Sequence, residues 1–172
     1  MATQDSNVVV RRASIDDIED TVNLWVKFSG YVNLQQGREE YSPKAPNLFR
    51  DYILNHIGHD DHILLVAEAE GELVGFAEGL IQKPHPMFEQ DDFVELYHIY
   101  VRQAYRRRNV GRMLLQGVEE WAELRSIRRL HLSVRSANEL GHQFWLRLGF
   151  KDYAHVMHKV RSPDFDTSQH GT

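Results

Sequence analysis

Residues 105–112 read Tyr-Arg-Arg-Arg-Asn-Val-Gly-Arg and lie between an extended apolar run over 94–101 and an amphipathic helical pattern over 113–124. A strand that ends in a short turn and then opens a helix leaves several backbone N–H groups without intrahelical partners, and the helix dipole favours an anion in front of them. Arg106, Arg107, Arg108 and Arg112 add charge-assisted donors that match phosphate oxygens. The chemistry predicted here is the grip of a compact anion such as a pyrophosphate. The basic cluster is local, because the whole chain carries a net charge of −5 with ten histidines. That balance argues against nucleic acid, whose binders spread basic groups over a whole face. The acidic residues Glu89, Asp91, Asp92 and Glu95 would instead attract a cationic substrate such as an amine.

The segment VELYHIYVRQAYRRRNVGRMLL resembles the signature of the GNAT (Gcn5-related) N-acetyltransferases, whose acyl-CoA loop follows Q/R-x-x-G-x-G/A. Arg106, Asn109 and Gly111 fall on its fixed positions, with Asn109 in place of the first glycine. Asparagine is among the few non-glycine residues that enter left-handed backbone geometry at modest cost, so the loop can still close. A second block, LSVRSANELGHQFWLRLGF, is similar to the family's later motif through Asn138, Gly141, Trp145, Gly149 and Phe150. Two matches in the right order, about 27 residues apart from Gly111 to Asn138, are more specific than either alone.

The resemblance implies an acetyl-CoA-dependent N-acetyltransferase. It implies that Arg106, Arg107, Arg108, Asn109, Val110, Gly111 and Arg112 hold the diphosphate. The backbone of Ile99, Tyr100 and Val101 would then pair with the pantetheine amides as an added strand. Asn138, an N-cap by type, would also bond the pantetheine chain, and Trp145 would pack on that arm or simply fill core beside Phe144. Acetyl transfer to an amine needs a base. An amine with a pKa of about 10.4 is roughly three units from its nucleophilic form at neutral pH, a handicap of about 4 kcal/mol. Glu95, on the strand leading into the loop, stands where histone-acetylating members carry a base glutamate; it is otherwise a solvated strand carboxylate. Partial burial would raise its pKa into a useful range, and deprotonation relayed by water is the equal alternative.

Tyr97 and His98 on the same strand are further candidates, with Glu78 on the preceding strand in a similar position. Strict alternation puts Glu95, Tyr97 and Ile99 on one face and Leu96, His98 and Tyr100 on the other, unless a bulge, common in this family, breaks the parity. The leaving thiolate takes a tyrosine proton in many members. Trp145 stands at that position, and an indole N–H does not ionise near neutral pH; Tyr153 or water is left for the task. Without cysteine there is no thiolate nucleophile, and the serines show no partner pattern, so direct transfer in a ternary complex is expected. Members that acetylate ribosomal-protein N-termini carry a glutamate where this chain has Ser133, which favours a small amine or aminoglycoside-like acceptor over a protein N-terminus or lysine. A non-catalytic CoA-binding regulatory domain is the rival, resting on Asn109 and Trp145.

These residues need a scaffold. A strand is predicted over 8–12, then a helix from Ser14 with Ile15, Ile18, Val22, Leu24 and Trp25 on its core face. A loop is predicted over 29–46 and a helix over 47–56 with Leu48, Tyr52 and Ile53 inward. Strands over 63–70 and 73–82 form a hairpin about Gly71, followed by a loop to 92 and a strand over 93–101. After the loop and helix come a strand over 130–134, a helix over 138–148 and a last strand over 153–160. The order is that of the GNAT fold, and the resemblance implies an α/β (or α+β) acyl-CoA N-acyltransferase fold. Its central sheet would be mixed, mostly antiparallel, of six or seven strands with helices on both faces.

One domain over 1–160 with a polar tail over 161–172 fits a chain of 172 residues. No apolar run reaches membrane-spanning length, and the lack of cysteine fits a cytoplasmic protein. The family resemblance also implies a homodimer. His56, His59 and His62 have a spacing that invites a metal reading, but they straddle a helix end and a strand start, and no metal is expected.

Overall fold

The computed structural model describes residues 7–36, 41–87, 89–157 and 159. Strand β1 (Val9–Arg12) is followed by a 3₁₀ turn at Ile15–Asp17, helix α1 (Ile18–Gln36) and helix α2 (Ala45–His56). Then come β2 (His62–Ala69), β3 (Glu72–Gln82), β4 (Phe93–Val101), α3 (Val110–Glu123), β5 (Leu130–Leu132) and α4 (Glu139–Arg147). The five strands form one sheet in sequential order, antiparallel except for the parallel β4–β5 pair. This is the expected mixed α/β architecture, with fewer strands among the described residues than the six or seven predicted. The predicted last strand over 153–160 lies partly outside those residues, and 153–157 belong to no strand. The predicted tail over 161–172 lies outside them entirely.

Each sheet face has its own core, because both faces of β2 and β3 are apolar and need cover. On one face Ile63, Leu65, Ala67, Val94 and Leu96 meet Val110, Leu114, Leu115, Val118, Trp121 and Ala122 of α3 and Trp145 of α4. The α3 residues recur at helical spacing on one face. Close approach is bought by small residues: a Cβ on Gly117 would lie 2.7 Å from Leu65 Cδ1, and one on Gly75 would lie 2.7 Å from the Tyr100 carbonyl oxygen. On the other face Leu64, Val66, Leu73 and Phe76 meet Ile18, Val22, Leu24 and Trp25 of α1 and Ala45, Phe49 and Ile53 of α2.

Both helices of this layer differ from the sequence expectation in extent or in the face they bury. Helix α1 runs through Gly30 to Gln36, and α2 begins at Ala45, so much of the predicted loop is helical. Gly30 costs a helix only about 1 kcal/mol, less than the packed face of α1 supplies. In α2 the inward stripe is Ala45, Phe49 and Ile53, four residues apart, while Leu48 is exposed. Ile15 is exposed as well, since the 3₁₀ turn shifts the phase before α1 starts.

The β1–α1 junction is held by Asp17. Its carboxylate accepts two bonds from the Arg11 guanidinium at 2.7 and 2.9 Å, and bonds from the Ser14 N–H and hydroxyl at 2.7 and 2.9 Å. The Arg11 bonds, helped by Ser14, outweigh burial and hold its pKa at about 2. A depressed carboxylate stabilises the fold fully above its unfolded pKa and ceases to do so as pH falls through the folded value. Asp17→Asn is therefore expected to cost about 2 kcal/mol at pH 7. In urea titrations the difference from the parent should shrink between about pH 4 and pH 2.

Candidate active site

Strand β4 is two strands in one. Its first part pairs with β5 through Val94↔Leu130, Glu95↔His131 and Leu96↔Leu132. Beyond Leu96 the β5 ladder stops, and among the described residues 98–101 pair only with β3. The change coincides with a bulge: Glu78 faces His98 and Gly79 faces Leu96, leaving Tyr97 as the extra residue. The parity of β4 flips there. Val94 and Leu96 join the α3 core, yet so do Ile99 and Val101, while His98 and Tyr100 turn to the α1–α2 face. The free edge of residues 97–101 exposes strand hydrogen-bonding groups to an extended ligand.

That edge leads to the arginine loop. Arg107 and Asn109 both have left-handed backbones, with φ of 61° and 64°. Asn109 is the N-cap of α3, which starts at Val110, three residues earlier than expected, and no side chain caps it. The N–H groups of Val110, Gly111 and Arg112 therefore open on the loop in the manner of an anion nest. Arg106 folds back, its Nε donating to the Val101 carbonyl at 3.0 Å and its guanidinium lying 5.8 Å from the Tyr100 ring. Arg107, Arg108 and Arg112 are exposed around the helix start, and Arg112 also borders a cleft of about 490 Å³ shared with Arg147 and Gly149. Gly111 lies against α4: a Cβ there would approach Phe144 Cζ to 3.3 Å.

Asn138 caps α4, its Oδ1 accepting from the Gly141 N–H at 3.0 Å. Gly141 is needed for this, because a Cβ would sit 2.4 Å from Asn138 Nδ2. Trp145 is buried, with its ring 5.0 Å from Phe144 and 5.2 Å from Phe150. Its place is in the core under α4.

On the opposite face, before the bulge, Glu95 is half-buried, and burial raises its pKa, as a base requires. Tyr97 is about half exposed, and its phenol accepts from Gln82 Nε2 at 3.3 Å. Burial, then the carboxylates of Glu95 and Glu78, push the Tyr97 pKa up. His131, the β5 partner of Glu95, is flanked by Phe93 at 4.2 Å and Tyr153 at 5.4 Å, and burial and Arg129 lower its pKa. Tyr153 is largely exposed. These residues gather at the β4–β5 pair as one half-buried carboxylate among aromatic rings.

His98 does not join that cluster as a free imidazole. Its Nδ1 lies 2.5 Å from Glu78 Oε2, and its Nε2 accepts from Trp25 Nε1 at 3.1 Å. Glu78 also meets His62 Nε2 at 3.3 Å and the Tyr52 hydroxyl. Burial pushes the Glu78 carboxyl up, but the bonds from His62 and His98 outweigh it and leave the pKa well below the usual range. The sequence carried one signal of this network that periodicity alone passes over, a carboxylate inside the apolar run 73–81. Among the described residues, no group of three or more histidines and carboxylates is arranged to hold a metal, and no helix is long and apolar enough to cross a membrane.

Known proteins share the fold. The pattern of the family described as "Acetyltransferase (GNAT) family" matches residues 23–150. An uncharacterised N-acetyltransferase of Archaeoglobus fulgidus is 26% identical over 79% of this chain and 88% of its own length. A spermidine N(1)-acetyltransferase of Thermoplasma acidophilum is 25% identical over 84% and 89%. Among solved structures, a point mutant of the BH1408 protein of Bacillus halodurans superposes with a TM-score of 0.80 at 16% identity, over 90% of this chain and 99% of that one. The aminoglycoside acetyltransferase AAC(6')-Iy, solved with a CoA-linked bisubstrate analogue, has a TM-score of 0.70 at 20% identity, over 91% and 99%. The chain belongs to the GNAT family of acetyltransferases and is an N-acetyltransferase.

Proposed function

We propose that the enzyme moves an acetyl group from acetyl-CoA to a primary amine of a small polycationic acceptor, by direct attack within a ternary complex. The observation that carries this reading is the continuous path from the free edge of β4 to the uncapped start of α3, with the half-buried Glu95 beside it, where the acceptor groove would lie. Backbone N–H groups at Asn109–Arg112 and the guanidiniums of Arg107, Arg108 and Arg112 would hold the diphosphate. Pantetheine would lie along residues 99–101. The Val101 carbonyl is already taken by Arg106, so that side chain braces the strand end and the remaining edge groups serve the ligand.

In the transfer, Glu95 takes the proton of the acceptor amine, the amine nitrogen attacks the thioester carbon, and the C–S bond breaks as the C–N bond forms. The thiolate, with a pKa of about 8.5, takes a proton from water reaching the open groove or from Tyr153. Most of the acceleration would come from holding amine and thioester together. A small amine is favoured by a single half-buried carboxylate among aromatic rings, and by the acceptors named for the spermidine and aminoglycoside relatives.

Steady-state assays with acetyl-CoA and a panel of polyamines and aminoglycosides should show turnover; binding of acetyl-CoA without any transfer would refute the assignment. Glu95→Gln is expected to lower kcat by about 10²–10⁴-fold and to remove the acidic limb of the pH–rate profile. That limb should lie above the ordinary carboxylate range, because burial raises the pKa of the base and activity requires its ionised form. At the loop, Asn109→Val forces a β-branched residue into left-handed geometry at about 1–2 kcal/mol, so coenzyme A affinity by calorimetry should fall about tenfold. Asn109→Gly should keep it.

A further inference from the structure

Glu78 has no solvent exposure, and a carboxylate in a core is costly unless donors surround it. Here His98 Nδ1, His62 Nε2 and the Tyr52 hydroxyl do so. Trp25 donates to His98 Nε2, so that nitrogen is the acceptor and the ring proton sits on Nδ1, facing Glu78. Side chains of α1, α2, β2, β3 and β4 thus converge on one carboxylate.

The position of this carboxylate in the ladder is what matters. Glu78 and His98 are cross-strand partners, and the register slips at the very next step, where Gly79 faces Leu96. If β4 continued without the slip, alternation would send His98 to the α3 face beside Leu96, out of reach of Glu78 and Trp25. The buried polar contact therefore selects the bulged register over the regular one. Gly79 makes room for it, since a Cβ there would lie 3.0 Å from Val94 Cγ1.

We propose that Glu78 is a positioning residue for acetyl transfer: by holding His98 it places the bulge at Tyr97, and with it the point where β4 leaves β5 and the aim of Glu95 and Tyr97 into the groove. This rests on the acceptor-groove reading above. His98 is a strut in this arrangement, because both of its ring nitrogens are occupied.

The test uses the full chain labelled with ¹⁵N. In the parent protein at pH 7 the His98 ring should carry a slowly exchanging proton on Nδ1 and a bare Nε2. A ring protonated on Nε2 instead would overturn the proposal, even if no variant folded. In Glu78→Gln that proton should lose its protection and the amides of residues 94–98 should shift, while those of 107–112 stay in place. With spermidine as the probe acceptor, kcat should fall about 10–100-fold at unchanged KM for acetyl-CoA, the size of loss expected from a misplaced reacting group. Unmoved amides at 94–98, or coenzyme A affinity falling in step with kcat, would overturn it. Should the parent protein leave spermidine unacetylated, the acceptor assignment is what fails, and the imidazole and amide signals still decide the role of Glu78.

Discussion

A parallel pair of strands holds together only while both ladders keep step, and β4 stops keeping step with β5 after Leu96. One extra residue at Tyr97 bends the strand and adds to its twist, as bulges do. The rest of β4 then follows β3 alone, leaving an edge that a soluble protein would normally cover or blunt. Here the edge runs straight into the arginine loop and the first turn of α3. The same slip reverses the parity of β4. Val101 and Ile99 can therefore anchor in the α3 core while His98 and Tyr100 reach the other layer, and Glu95 is left at the margin between buried and wet.

That geometry depends on packing from both sides. Beneath it, α3 approaches the sheet closely at Gly75 and Gly117, and its first turn is pressed against Phe144 of α4 at Gly111. The start of the helix is thereby fixed relative to the strand end, which an anion site requires if its donors are to converge. Above it, Trp25 stacks on Phe49 at 4.7 Å, and both rings contact His98. Helices α1 and α2 are thus tied to the bulged strand by one aromatic and hydrogen-bonded cluster. A change in that cluster would be felt at the bulge before it reached the arginine loop.

Much of this was readable from residue order. The arginine loop, the left-handed Asn109, the Asn138 cap and the apolar faces of α3 and β2 depend on neighbours within a few residues, which is the range over which spacing and backbone preference speak. The inward stripe of α2 was less legible, because Leu48 and Phe49 are both apolar and only packing against Trp25 decides which of them turns in. Gly30 and Pro46 looked like loop signals. Pro46 is in fact tolerated in the first turn of α2, where no N–H is needed, and Gly30 sits on an exposed face of α1.

The one-dimensional order determined the arginine loop, the order of strands and helices from β1 to α4 and the membership of the family, since each rests on local motifs and periodicity. Which strand carries the extra residue, which way His98 faces, and that Trp145 fills core under α4 were decided only in three dimensions. For the first two the physical reason is the same. A side chain's direction on a strand changes with a single slip of register, and that slip is chosen by contacts such as Glu78 with His98, twenty residues apart in the chain.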